Sequence, residues 1–196
     1  MTSPRRGDPS NGYQAAAADF ISARSLIGAA EVRTWAQRLP RSGAVLDLGC
    51  GHGVPITQAL LEEGLAVYGI DASATLLAEL RRRFPNVVAE CGAAEESDFF
   101  ARTFDGIVAC GLLFLLAPDM QALVLRKAAR ALNPGGQFLF TAPREACRWR
   151  DVLTGRDSVS LGVDAYRDLL RAEGLTLVSE QQDEGGNHYY LAAREA

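Results

Sequence analysis

Short apolar runs alternate along this chain with longer stretches whose apolar residues recur at helical spacing. That alternation predicts a parallel sheet with crossover helices. Residues 14–39 come first as one or two helices. Ala16, Ala17, Phe20 and Ile21, then Val32, Trp35, Ala36 and Leu39, recur at helical spacing, with Gly28 as the break. Strand one is Ala44–Leu48, and its helix starts at Pro55, a residue suited to the first helical position, and ends before Gly64. Strand two is Ala66–Ile70; Ser73 caps the next helix, which runs to Phe84 with Pro85 beyond it. Strand three is Val87–Glu90, strand four Asp105–Cys110, and a helix spans Met120–Leu132. The run Asn133-Pro134-Gly135-Gly136 stops that helix and turns into strand five, Gln137–Thr141. A helix capped by Asp164 and ended by Gly174 leads to strand six, Leu175–Glu180. The residues "DEGGN" then read as a hairpin turn, returning His188–Ala193 as a seventh strand antiparallel to the sixth.

Everything after residue 12 fits one domain, residues 13–196, with no internal repeat; residues 1–12, rich in Pro, Gly, Ser and Asn, read as a mobile tail. A net charge of -4 gives no global attraction to nucleic acid or an anionic membrane. No apolar run is long enough to span a bilayer, and no signal peptide is evident. The four cysteines are scattered, without a CxxC pair or a histidine at ligand spacing, so no metal site is expected and reduced thiols in a cytoplasmic protein are the simplest expectation. Cys91, Cys110 and Cys147 are expected as buried small hydrophobes.

In open α/β sheets ligands sit beyond the carboxyl ends of the strands. Strand one leaves as Asp47-Leu48-Gly49-Cys50-Gly51-His52-Gly53. Alternate glycines let a ligand approach the backbone, and the helix behind them offers free N–H groups. Asp47 is out of place beside a pyrophosphate and suits a cationic ligand group instead. Asp71, closing strand two, can accept both hydroxyls of a ribose. A Walker loop is excluded because Gly-Lys-Ser/Thr is missing, and the third glycine falls one position early for a dinucleotide fingerprint.

The stretches "VLDLGCGHG", "VYGIDAS", "FDGIVACGLLFLL" and "LNPGGQFLFTAP", in this order over residues 40–143, closely resemble the class I S-adenosylmethionine-dependent methyltransferases. The resemblance implies a Rossmann-like α/β fold: a seven-stranded sheet, mostly parallel with an antiparallel C-terminal strand, and helices on both faces. It implies S-adenosylmethionine as cofactor, with Gly49, Gly51 and Gly53 around the methionine part, Asp47 on its amino group and Asp71 with Ala72 at the ribose. Cys110, Gly111 and Leu112 would line the floor, and Cys50 fills a slot commonly cysteine in the family. Where the family often places a carboxylate for the adenine amino group, this chain has Ala93-Ala94-Glu95, so adenine must rely on backbone there or on Glu95. The frequent histidine after strand four is Phe114 here.

Methyl transfer is an in-line displacement, so no motif announces the acceptor. Three segments can reach the methyl group. The helices of residues 13–39 are expected to cap the site, with Tyr13 facing the acceptor and Arg24 a partner for the methionine carboxylate. Residues 143–163 leave the sheet at its ligand edge as a lid or substrate loop, in which Arg144 and Trp149 suit an anionic or aromatic acceptor. The last hairpin brings Asn187, His188 and Tyr189 to the rim; Tyr189 and Tyr190 alternate across the strand. His188 is the candidate general base, with Tyr189 beside it. The expected protein is a cytoplasmic monomer or homodimer methylating a small-molecule N, O or S nucleophile, without nucleic-acid or membrane partners. A catalytically inactive S-adenosylmethionine-binding module is the alternative, and a dinucleotide oxidoreductase a more distant one.

Overall fold

The computed structural model describes residues 8–195. Seven strands form the main sheet: β1 (Ala44–Leu48), β2 (Ala66–Asp71), β3 (Val88–Cys91), β4 (Phe104–Ala109), β5 (Leu132–Thr141), β8 (Leu175–Gln182) and β9 (His188–Arg194). Their order is β3-β2-β1-β4-β5-β9-β8. The first five pair in parallel, and β9 inserts antiparallel between β5 and β8. Because β8 is antiparallel to β9, it runs in the direction of the parallel set. All functional ends therefore meet at one edge.

Helices α1 (Ala17–Ala23) and α2 (Ala29–Ala36) are split where expected, at Gly28, whose φ of 87° is a left-handed turn. On one face Val32 and Trp35 of α2 pack with Ala59 and Leu60 of α3 (Ile56–Glu62) and Leu77 and Leu80 of α4 (Ala74–Arg83). Ser73 caps α4, its hydroxyl accepting from the Leu76 N–H at 3.3 Å. On the other face α5 (Pro118–Ala131) and α6 (Val163–Ala172) cover an aromatic core. There Phe140 stacks on Tyr190 at 4.8 Å between ring centres, and Tyr166 closes on both. Tyr189 belongs to the opposite core. The alternation expected of these neighbours is what divides them.

Four local expectations are corrected or refined. Asp164 is not the cap of α6; Gly162, with φ 85°, occupies that place and Asp164 pairs with Arg167 in the first turn. Residues 143–163, expected as a lid or substrate loop, carry a hairpin, β6 (Cys147–Arg150) against β7 (Asp157–Ser160). Its six-residue connection is pinned by Asp151, whose Oδ1 accepts from the N–H groups of Leu153 and Thr154 and the Thr154 hydroxyl. Cys91 and Cys147 are exposed rather than buried. The first ends an edge strand, and the second lies on the two-stranded ribbon.

The last correction concerns the expected tail, of which residues 1–7 lie outside the described residues. Residues 8–12 form a turn in which Asp8 accepts from the Ser10 and Gly12 N–H groups and the Ser10 hydroxyl. Asp8 also pairs with Arg156 at 3.1 Å. The turn is therefore tied to the β6–β7 hairpin.

Candidate active site

At the carboxyl edge of β1, β2, β4 and β5 lies a cavity of about 920 Å³, roofed by residues 9–27 and walled by the β6–β7 hairpin and the β8–β9 turn. Gly49, Cys50 and Gly51 form its floor after β1. Gly49 has φ 72°, and a Cβ there would come within 3.2 Å of Leu112, so this close approach needs glycine. Asp71 reaches the cavity with both oxygens oriented. Oδ2 accepts from the Gly51 N–H at 2.8 Å and Oδ1 from the Ser73 N–H at 2.7 Å. The carboxylate thus ties the glycine loop to the start of α4. Burial still pushes its pKa up, against the pull of those two bonds.

Asp47 and Gly53 are not among the cavity-lining residues. Asp47 is buried beneath the loop, with Oδ2 accepting from the Thr57 hydroxyl at 2.6 Å. Burial pushes its pKa up to about 7; the Thr57 bond opposes the shift and Asp71 adds to it. Gly53 makes room for the Phe84 ring, which a Cβ would meet at 2.7 Å. His52, also inside the loop, is buried with its ring edge-on to Phe20 at 5.6 Å. Burial, then Arg83 and Arg24, lower its pKa.

The remaining cofactor candidates converge on the cavity. Ala72 follows Asp71; Ala93, Ala94 and Glu95 form the wall after β3; Cys110, Gly111 and Leu112 follow β4. The Gly111 N–H is held by the Thr141 hydroxyl at 2.8 Å. Burial, then Asp47, raises the pKa of the Cys110 thiol, which disfavours the thiolate. Arg24 lines the roof, its Nε 3.4 Å from the Val54 carbonyl.

The six acceptor candidates, Tyr13, Phe114, Arg144, Trp149, Asn187 and His188, also line the cavity, as does Tyr189. Phe114 and Trp149 pack at 5.3 Å between ring centres. The Tyr13 hydroxyl donates to Asp151 at 3.1 Å, closing the roof onto the hairpin. Asn187 and the Tyr189 hydroxyl both donate to the buried Asp183, at 2.8 and 3.1 Å. Tyr189 is thereby engaged, and burial raises its pKa first of all. His188 is 8 % exposed, and its Nε2 lies 3.0 Å from Glu180 Oε2. A carboxylate accepts, so a neutral ring held here carries its proton on Nε2 and its lone pair on Nδ1. Nδ1 is buried and has no hydrogen-bond partner among the described residues.

Sequence reasoning missed Glu180, Asp151 and Lys127. Glu180 also receives Arg144 at 3.3 Å and Arg167 at 3.6 Å. Its place two residues before the strand end, diagonal to His188 across the β8–β9 ladder, was the available signal. Among the described residues no group of three or more His, Cys, Asp or Glu is placed to hold a metal ion. No helix among them is long and apolar enough to cross a membrane.

The family described as "Methyltransferase domain" matches residues 45–136. An uncharacterized methyltransferase of Mycobacterium tuberculosis is 32% identical over 150 residues, 74% of this chain. The chain spans only 58% of that relative's length. A second uncharacterized methyltransferase, from Synechocystis sp., is 30% identical over 105 residues, 54% of this chain and 49% of its own. In fold, the chain is similar to the Burkholderia thailandensis 1,6-didemethyltoxoflavin-N1-methyltransferase (TM-score 0.73, 23% identity, 100% and 94% covered). It is equally similar to the Synechocystis magnesium protoporphyrin IX methyltransferase (TM-score 0.74, 15% identity, 99% and 100% covered). By its matched methyltransferase domain, these relatives and the Rossmann-like sheet with β9 inserted antiparallel, the chain belongs to the class I S-adenosylmethionine-dependent methyltransferase family.

Proposed function

We propose that this protein transfers a methyl group from S-adenosylmethionine to a nitrogen, oxygen or sulfur nucleophile of a small molecule. The observation that carries this is one continuous cavity with a cofactor floor and an acceptor wall. Asp71 and the Gly49–Gly51 loop lie at one end, and Phe114, Trp149, Arg144 and His188 at the other. Its volume is in the upper part of the roughly 300–1,000 Å³ typical of small-ligand sites, room for a donor and an acceptor together.

The residues present fit the donor. Asp47 lies beneath the glycine loop rather than on the cavity surface; buried and reluctant to ionise alone, it suits an ammonium drawn against that loop. The left-handed glycines leave the floor open where a side chain would fill it. Asp71 is aimed at the ribose position by two backbone N–H groups. Bound there, the donor supplies an electrophilic methyl: the S–CH3 bond breaks as the nucleophile–CH3 bond forms, and its electron pair stays on sulfur, leaving S-adenosylhomocysteine. The chain's part is to align the nucleophile and exclude water. Residues 13–24 do the latter, with Phe20 over Gly51 and Tyr13 bonded to Asp151. His188 is the acceptor-side group able to take a proton, with the Glu180 carboxylate against its Nε2.

A small acceptor is supported by the aromatic pair of the wall and by fold relatives that act on small molecules. The test has two readouts. S-adenosylhomocysteine should bind and raise the melting temperature, and methyl-labelled S-adenosylmethionine should label a component of a small-molecule extract. No binding would overturn the cofactor assignment. Binding with no transfer would favour a non-catalytic binding module, and labelled macromolecules alone would overturn the small acceptor.

A further inference from the structure

Lys127 is the only lysine in the chain, and it stands half-buried on the inner side of α5. Its Nζ donates to the carbonyls of Ala94 and Glu95, both at 3.0 Å, and to the carbonyl of Ser97. Three N–H donors meet three backbone acceptors, which is the full capacity of an ammonium. The Phe99 ring lies 4.6 Å from the same nitrogen. A charge so engaged does nothing for solubility. What it does is hold one turn, residues 93–97, in which the Glu96 and Ser97 N–H groups also fold back onto the Ala93 carbonyl.

That turn is the cavity wall formed by Ala93, Ala94 and Glu95. In a trans peptide the C=O and the following N–H point in opposite directions. Drawing the Ala94 carbonyl toward α5 therefore turns the Glu95 N–H away from α5. Neither the Ala94 nor the Glu95 N–H takes part in the backbone bonds that close the turn. The wall this chain offers an adenine ring thus has backbone N–H groups left out of the turn's own bonds, beside the Glu95 side chain.

We propose that Lys127 is a positioning residue for adenine recognition: it fixes the 93–97 turn so that a backbone N–H meets the N1 acceptor of the base. This rests on the cofactor assignment above. It makes a statement a merely structural lysine does not make. Adenine N1 is an acceptor, whereas hypoxanthine N1 carries a proton, so the turn discriminates S-adenosylhomocysteine from S-inosylhomocysteine. Loosening the turn should erode that discrimination.

The experiment is calorimetry of both ligands against the wild-type chain, Lys127→Met and Lys127→Arg. Wild type should prefer S-adenosylhomocysteine. Lys127→Met should bind it about ten-fold more weakly, the worth of one buried hydrogen bond, and S-inosylhomocysteine with little change. Lys127→Arg, which keeps the charge and N–H donors, should fall between the two. Unchanged affinity in Lys127→Met, or equal weakening for both ligands, would overturn the proposal while leaving the cofactor assignment standing. If Lys127→Met does not fold, a Lys127→Arg ratio equal to wild type overturns it instead. Failure of the wild type to bind S-adenosylhomocysteine would overturn both.

Discussion

Lowering the pH from 7 to 5.5 should weaken S-adenosylhomocysteine binding, and the cause worked from the structure is Asp47. In the empty protein burial holds its pKa up at about 7, against the pull of the Thr57 hydroxyl bonded to it. An ammonium from the ligand's methionine part would return the carboxyl to the ordinary range near 4. Binding then selects the ionised form. That form is half the population at pH 7 and about one part in thirty at pH 5.5, so affinity should fall about fifteen-fold, or about 1.6 kcal/mol. Calorimetry at the two pH values reads this directly. Titrations at pH 7 in buffers of different ionisation enthalpy should show about half a proton released per ligand bound. Asp47→Asn should bind more weakly at pH 7 and lose the slope.

The same shift carries a sign for stability. A carboxyl whose folded pKa lies above its unfolded value of 3.8 leaves the folded chain holding more protons between the two, so the empty protein loses stability as pH rises from 4 to 7. A three-unit difference corresponds to about 4 kcal/mol. Asp47→Asn should accordingly raise the melting temperature of the ligand-free protein at pH 8 while impairing binding. Equal affinity at both pH values, or the same slope in Asp47→Asn, would refute the assignment.

Three further outcomes are expected. Asp71→Ala should remove measurable S-adenosylhomocysteine binding by calorimetry, because it also frees the Gly51 and Ser73 N–H groups; unchanged affinity would remove the ribose assignment. His188→Ala and Glu180→Gln should leave cofactor affinity intact and lower methyl transfer to a protic acceptor, by about 10²–10⁴-fold for the first if it acts as base; a normal rate in His188→Ala would exclude it. Deleting residues 1–24 should weaken cofactor retention through dialysis, since it removes Phe20 from Gly51 and Gln14 from Ser73 and Thr75. Equal retention would show that the roof is passive.

The cofactor end was largely legible because its chemistry is local. Gly49, Gly51 and Asp71 follow directly on strands whose apolar runs locate them, and parallel pairing brings those strand ends to one edge. Gly53 shows the limit of that reasoning. Its place in the motif is regular, yet the neighbour that forbids a side chain is Phe84, thirty-one positions away in the chain. Sequence spacing identifies that a glycine is required and not which surface requires it.

The acceptor end is harder for a related reason: its groups act in pairs that no stretch of sequence contains. His188 was visible as one of two histidines, but the carboxylate that sets its tautomer sits on the opposite side of the turn, eight residues earlier. Tyr13 was visible as a capping aromatic, whereas Asp151 enters only because β6 and β7 form a hairpin that an arginine-rich segment does not advertise. Lys127 lies on a helix whose period marks it as ordinary surface, and only the turn after β3 makes its ammonium a structural fastening. In each case the missing half is a polar partner across a tertiary contact. Polar partners leave no periodicity, so they emerge only once the apolar pattern has folded the chain around them.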